Sequence, residues 1–248
     1  MHFVGSMPPR AARTKARRRT TATLFKAGAG DPDALPEKPV PIPEELRVEF
    51  VDAFWRSHAW RKTTWLGQRV SKAPTDLMAY QEMIMRLRPE WIIETGTGNG
   101  GRALFLASIC ELVGHGRVLS IDTQKSDERR EHPRITYLTG HPIHDDTMQR
   151  VRDIIGETPN ALVVLGSRGS RQRMVAEFNL YSPFVPLGSY VVMEETIVNG
   201  HPVWPSFGPG PAEAVKNVIN TRGDFAPDPQ LERGGLTFNP HGFLKRVQ

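Results

Sequence analysis

Hydrophobic positions along the chain change period several times, and each change marks an element. Pro43-Glu44-Glu45 opens a helix with acids in its first turn, where the helix dipole favours them. Leu46, Phe50, Val51, Phe54 and Trp55 then recur at helical spacing. Asp76 is placed to cap a second helix over 77–87, with Leu77, Tyr80, Ile84 and Leu87 on one face and Pro89 ending it. Beyond Pro89 short apolar runs alternate with helical patterns. Strands are predicted at 91–94, 117–121, 134–138, 161–165 and 188–194. Helices are predicted at 101–113, 146–155, 170–180 and 212–220. Leu236–Asn239 and Gly242–Val247, on either side of Pro240-His241, read as a closing hairpin. Strand–helix alternation of this kind predicts an α/β domain around a mostly parallel sheet.

The stretch 91–122 narrows the chemistry. Apolar Trp91-Ile92-Ile93 runs into Glu94, then into a turn holding Gly96, Thr97, Gly98, Gly100 and Gly101. An apolar helical run and a second strand ending in Asp122 follow. Glycines let the backbone pass close to a ligand, and the helix start behind them has free N–H groups. A carboxylate at the end of the second strand suits a ribose diol. The spacing satisfies two patterns: the acid-x-Gly-x-Gly-x-Gly of S-adenosylmethionine (SAM) sites and the Gly-x-Gly-x-x-Gly dinucleotide fingerprint. Glu94 favours the first, because an acid at the strand tip would repel a pyrophosphate and attract an ammonium or sulfonium. The bland alternative is that Glu94 caps a turn and the glycines only allow tight packing.

Composition adds bounds. At 248 residues and 39% hydrophobic, the chain suits one α/β domain with appendages. No apolar run approaches the roughly 20 residues of a membrane span, and no secretory apolar segment opens the sequence. The single cysteine, Cys110, lies in an apolar helix and reads as a core residue of a cytoplasmic protein. The net charge of +5 is misleading. Seven positive charges, from Arg10 to Lys26, precede the first acid, Asp31, so the remainder carries −2. Residues 1–42, basic and then Pro-rich, read as a tail and linker, 43–88 as a helical extension and 89–248 as the cofactor-binding domain. A basic tail suits nucleic acid or an anionic surface, but no aromatic platform or recognition module accompanies it, and a solvated arm is the simpler reading.

Further segments carry a resemblance. Thr64-Trp65-Leu66-Gly67, Lys72-Ala73-Pro74-x-Asp76 and Tyr80-Gln81-Glu82 precede the glycine turn. Gly188–Val192, Asn199–Val203 and Phe207–Ala214 follow it. Together they resemble the cephalosporin hydroxylases and rhamnosyl O-methyltransferases over roughly residues 60–246. The resemblance implies a Rossmann-like class I SAM-methyltransferase fold, with a seven-stranded sheet closed by an antiparallel hairpin. It also implies O-methylation of a sugar or natural-product hydroxyl, with SAM held around Glu94, the Gly96–Gly101 loop and Asp122. Relatives with a metal site hold Mg²⁺ by an Asp at the fourth strand tip and an acidic pair at the fifth. Here Glu194-Glu195 supplies the pair, but Gly166 stands where the Asp would be and Gly169 where a following His would be.

Two routes to the acceptor proton therefore stay open. Glu194 and Glu195 hold Mg²⁺ with help from waters and acceptor hydroxyls, or a general base acts alone. Candidates for the base are His201, His141, His144, Glu194 and Glu195. Arg168, Arg171 and Arg173, close to the altered strand tip, suit an anionic acceptor. Trp204 and Phe207, in the long loop 199–211, are candidates to pack on it. Each also has a plain reading as a loop or surface residue. A small-molecule acceptor and a homo-oligomer are expected. Alternatives are a methyltransferase-fold protein diverged to other chemistry and, less favoured, a protein acting on nucleic acid.

Overall fold

A computed structural model describes residues 40–156, 160–166 and 168–248. The chain divides into two units, Met1–Pro41 and Ile42–Gln248, and the architecture belongs to the second. The tail and linker expected at 1–42 lie almost wholly outside the described residues.

Helix α1 spans Glu44–Arg56, with Pro43 at its N-cap. A short hairpin follows, β1 (Thr64–Trp65) and β2 (Gln68–Arg69), which periodicity did not predict because two-residue strands carry no alternation to read. Helix α2 covers Pro74–Leu87. It starts earlier than the expected cap at Asp76, since proline at the first helical turn is pre-set for helix and needs no N–H. Asp76 is instead buried in that turn, accepting from Thr237 Oγ1 (2.6 Å) and Phe238 N (3.0 Å). Burial pushes its carboxyl up to about 6 against those two hydrogen bonds.

The central sheet begins with β3 (Trp91–Thr95), α3 (Gly101–Leu112) and β4 (Arg117–Asp122). It continues through β5 (Ile135–Thr139), α4 (Asp145–Ile155), β6 (Ala161–Leu165), α5 (Arg171–Tyr181) and β7 (Tyr190–Met193). It closes with α6 (Pro211–Thr221), β8 (Phe225–Pro227) and β9 (Phe243–Arg246). Seven strands pair in the order β5-β4-β3-β6-β7-β9-β8. The first four pairings are parallel, and β9 runs antiparallel to both β7 and β8. The antiparallel close is therefore present, but its outer arm is Phe225–Pro227 rather than Leu236–Asn239. Phe238 instead packs against Trp55 and Trp60, joining the N-terminal helix to the domain.

Strands β3, β6 and β7 are buried throughout, as expected of parallel strands covered on both faces. Alternate residues feed two cores. Ile93, Leu119, Val163 and Val191 meet α4, α5 and α6 on one side. Ile92, Val118, Leu162 and Val192 meet α2 and α3 on the other. Cys110 is fully buried in that second core, and burial raises its thiol to about 11, so it is packing rather than chemistry. Among the described residues no helix is long and apolar enough to cross a membrane. The order reverses between β3 and β6, which open to opposite sides, and ligands of such sheets bind beyond the strand ends at that crevice.

Candidate active site

At that crevice the chain turns sharply. Gly96, Gly98 and Gly100 all have positive φ (77°, 56° and 82°), which only glycine adopts without strain. Gly101 serves packing: a Cβ there would collide with the Arg69 carbonyl of β2. The hairpin lies directly over the loop. Gln68 Nε2 donates to Asn99 O (2.7 Å), and Asn99 Nδ2 donates to Arg69 O (2.9 Å). Asp122, at the tip of β4, accepts from Gly98 N (2.8 Å) and Gln124 N (3.1 Å).

A cleft of about 310 Å³ opens here, lined by Gly96, Thr97, Gly98, Asn99 and Asp122. Val70, Ser71, Lys72, Arg102, Gly166, Arg168 and Glu195 line it as well. Cofactor candidates and acceptor-side candidates thus meet in one cavity, brought from β3, β4, β6, β7 and the segment before α2.

Several expected residues do not reach it. Glu94 is 0% exposed, and its carboxylate accepts from Ser120 Oγ and Arg102 Nε inside the sheet. The charge assigned to meeting a cationic ligand is thus already neutralised by Arg102. Gly100 faces Tyr137 and Arg129. His201 is exposed and paired with Glu213 (2.9 Å), on a separate cavity between α1 and α6. His141 and His144 stack on each other at 4.4 Å at the start of α4 and do not line the cleft. Burial, Arg173 and His144 lower the His141 imidazole, leaving it a poor cation. Arg171 and Phe207 line a further cavity with Ser170, Gln172, Gly208 and Pro209. Trp204 is half exposed, edge-on to Phe207 at 5.2 Å. Of the predicted acceptor-side residues, Arg168 and Glu195 line the cleft.

Two consequential residues, Arg102 and Lys72, carried no role in the sequence reading, and both meet the acidic pair. Glu194 is 1% exposed and turned away from the cleft. It accepts from Tyr80 Oη (2.5 Å), Lys72 Nζ (2.8 Å) and Arg102 Nη1. Arg102 Nη2 donates to the carbonyls of Thr95 (2.9 Å) and Gly96 (3.3 Å). Lys72 Nζ also reaches Glu195 Oε1 (3.5 Å), while Arg168 pairs with Glu195 Oε2. One signal for Arg102 was present: it is the sole charge in the apolar run Gly101–Cys110, and a charge on a buried helix face needs a partner.

These contacts set the electrostatics. Burial lowers the Lys72 ammonium to about 8; the Glu195 charge opposes the drop, and Arg102 and Arg168 add to it. Burial pushes the Glu195 carboxyl up, but Lys72 and Arg168 outweigh it and hold the group below its ordinary value. Both Arg168 (φ 45°) and Glu195 (φ 60°) sit in the left-handed region, at a cost of about 1–2 kcal/mol each. Such strain persists only where surrounding structure enforces it; at Glu195 the backbone N–H is held by Asn239 Oδ1 (2.9 Å).

A metal was one of the two open routes, and the donor set as folded does not fit Mg²⁺. Mg²⁺ needs about six oxygens in octahedral array. The space beside Gly166 holds the Arg102 guanidinium, so a Cβ there would strike Arg102 and Glu194. Glu194 has its acceptors taken, and Glu195 is shared between two cations. Among the described residues no group of three or more His, Cys, Asp or Glu is arranged to hold a metal ion.

Residues 57–247 match the family model described as Rhamnosyl O-methyltransferase/CmcI. The chain belongs to the Rhamnosyl O-methyltransferase/CmcI family. It is 32% identical over 209 residues to the Rhamnosyl O-methyltransferase of Mycobacterium leprae, covering 82% of this chain and 91% of the relative. It is equally identical over 210 residues to the Rhamnosyl O-methyltransferase of Mycobacterium bovis, covering 82% and 86%. Among solved structures, CmcI with Mg-SAM superposes with a TM-score of 0.59 at 18% identity, over 88% of this chain and 90% of that one. CmcI with S-adenosylhomocysteine gives 0.58 at 18% identity, over 88% and 98%. At that identity the likeness shows the fold, the methyltransferase form of the α/β sheet. In this chain, cations pack around the acidic pair.

The loop 199–210 is tied down by one carboxylate. Glu213 accepts from Asn199 Nδ2 (2.8 Å) and Gly210 N (2.7 Å) and pairs with His201. Burial alone would raise it, but these partners outweigh burial and bring it down to about 2. A depressed carboxyl stabilises above its unfolded value and loses that contribution as pH falls through the folded one. Hydrogen exchange should therefore show protection at Gly208 and Gly210 falling between about pH 4.5 and 2. Glu213→Gln should reproduce the loss at neutral pH. Unchanged protection in both experiments would show that the loop is held by other contacts.

Proposed function

We propose that the chain is a SAM-dependent O-methyltransferase acting on a hydroxyl of a sugar or natural product. The observation that carries this reading is the shared cleft. A glycine-lined backbone turn and the Asp122 carboxylate line it together with Lys72, Arg168 and Glu195. The cradle suits SAM: positive-φ glycines give close backbone approach, and a carboxylate at the β4 tip suits a ribose diol. SAM supplies an electrophilic methyl group together with its own leaving group. The chain has to hold the acceptor oxygen in line and receive its proton. Glu195, kept ionised by Lys72 and Arg168, is the carboxylate facing the cleft and accepts that proton. Lys72 beside it stabilises negative charge developing on the oxygen. Arg168, the more exposed cation, orients the acceptor.

The relatives' name makes a rhamnosyl hydroxyl the first acceptor to test. Incubation with SAM and an aryl rhamnoside should add one methyl group by mass spectrometry. Calorimetry should show S-adenosylhomocysteine binding. Failure to bind it would sink the reading. Binding with no methylated product across a panel of hydroxylated acceptors would favour a diverged protein that keeps the cofactor site. Asp122→Ala should weaken S-adenosylhomocysteine about 10- to 100-fold, the loss of one or two hydrogen bonds to a charged group. Unaltered affinity would remove Asp122 from the cofactor site.

Two coarser expectations belong to the same reading. The exposed apolar side chains of α1, Leu46, Val48 and Phe50, support self-association. A lone, buried, unreactive cysteine supports a cytoplasmic setting.

A further inference from the structure

Three carboxylates and three cations converge beside the cleft. Glu94, Glu194 and Glu195 face Arg102, Lys72 and Arg168 in one connected set of ion pairs. Counted by formal charge, the set balances to zero. A divalent cation inserted among them would leave two uncompensated positive charges in a largely dry site, where such charge costs several kcal/mol. It would also have to displace Arg102 from the space beside Gly166, and Lys72 from both glutamates.

The two buried cations divide the work. Each nitrogen of the Arg102 guanidinium is engaged: Nε on Glu94, Nη1 on Glu194, Nη2 on the carbonyls of Thr95 and Gly96. It locks the glycine turn to the acidic pair and lies among the cleft-lining residues. Lys72 has three N–H donors and two partners, Glu194 and Glu195, and it too lines the cleft. One ammonium hydrogen is left for the cavity, next to the Glu195 carboxylate.

We propose that this chain performs methyl transfer without a divalent metal. The Lys72 ammonium takes the electrostatic part that a metal would play at the acceptor oxygen, and Arg102 acts as the positioning residue that fills the metal's place. The inference rests on the methyltransferase reading above. In the step it describes, the acceptor O–H proton passes to Glu195, a new O–CH₃ bond forms and the S–CH₃ bond breaks. Lys72 donates a hydrogen bond to the oxygen throughout and keeps its own proton.

The test uses the full chain saturated with S-adenosylhomocysteine and titrated with Mn²⁺, followed by electron paramagnetic resonance of the free ion. The expected result is no stoichiometric loss of the free Mn²⁺ signal, and S-adenosylhomocysteine affinity that is unaltered by Mn²⁺. One Mn²⁺ held per chain with low-micromolar affinity would overturn the proposal. A failure of S-adenosylhomocysteine itself to bind would strike the functional reading instead. A second arm follows transfer to the aryl rhamnoside. Wild-type turnover should survive EDTA. Lys72→Met should lower kcat at least about 100-fold, with S-adenosylhomocysteine affinity held within about threefold. Lys72→Arg should recover part of that loss. Turnover abolished by EDTA and restored by Mg²⁺, or Lys72→Met at wild-type rate, would each overturn it.

Discussion

Arg102→Met should cost the fold about 3–5 kcal/mol, the range for removing one partner of a buried ion pair. For a domain of this size that corresponds to a fall in Tm of roughly 10 °C or more. The reason is local and specific. Methionine fills much of the arginine stem but leaves Glu94 and Glu194 facing each other's environment with no guanidinium between them. Both are sealed from water. The carboxylates must then find another partner for their charge, or the turn must open to admit water. Either response disturbs the Thr95 and Gly96 carbonyls that Arg102 now holds. S-adenosylhomocysteine affinity should therefore fall with stability, by at least about tenfold for two lost charge-assisted hydrogen bonds. Chemical denaturation and calorimetry measure the two effects. Arg102→Lys should restore charge without the planar fork and recover only part of each. A Tm within two or three degrees of wild type for the methionine variant would mean that Arg102 does not tie these elements together.

That residue also marks the limit of what was legible in the sequence. The strand–glycine–helix–strand stretch could be placed almost to the residue, because a buried parallel strand is a continuous apolar run and positive-φ turns demand glycine. Asp122 could be placed at the cleft because strand ends in such sheets point to the ligand. Glu94 was located correctly on its strand and misjudged in direction. Side chains alternate along a strand, but at a strand tip the sequence does not say whether a carboxylate points up into the crevice or back into the sheet. Its partner decided that, eight residues on and across the turn. The electrostatic argument that Glu94 would attract a cationic ligand is thus undercut, since Arg102 already neutralises it. The histidines show the opposite failure. His141, His144 and His201 are chemically suited to proton transfer, yet they sit on loops whose course no local pattern specifies. His201 ended against Glu213, outside the cleft beside the glycine turn. Lys72 was visible as a letter in a motif. Its burial between two glutamates joins residues 122 and 123 positions apart, and periodicity carries no such information.

Gly166→Asp, which places at this strand tip the carboxylate that the family resemblance implies, should fail to create a metal site. It should destabilise the protein by about 3 kcal/mol or more, overpacking and an extra buried charge acting together. The new Cβ would land on the Arg102 guanidinium and on Glu194 Oε2. The carboxylate beyond it would enter a cluster whose charges already cancel. Guanidinium and side chain cannot both occupy that space, so Arg102 must swing away from Glu194 or β6 must shift against β7. The first response uncouples the glycine turn and the second disturbs the fully buried parallel pair that carries both site residues. Mn²⁺ titration of this variant should therefore look like wild type while its Tm falls. If Gly166→Asp folded with wild-type stability and bound one Mn²⁺ tightly, the metal site would be one residue away from function, and the cations around Glu194 would be mere occupants of space that an ion can claim. The geometry argues otherwise. The Arg102 guanidinium already fills the space that an aspartate at 166 would take, and adding the carboxylate leaves that cation in the way.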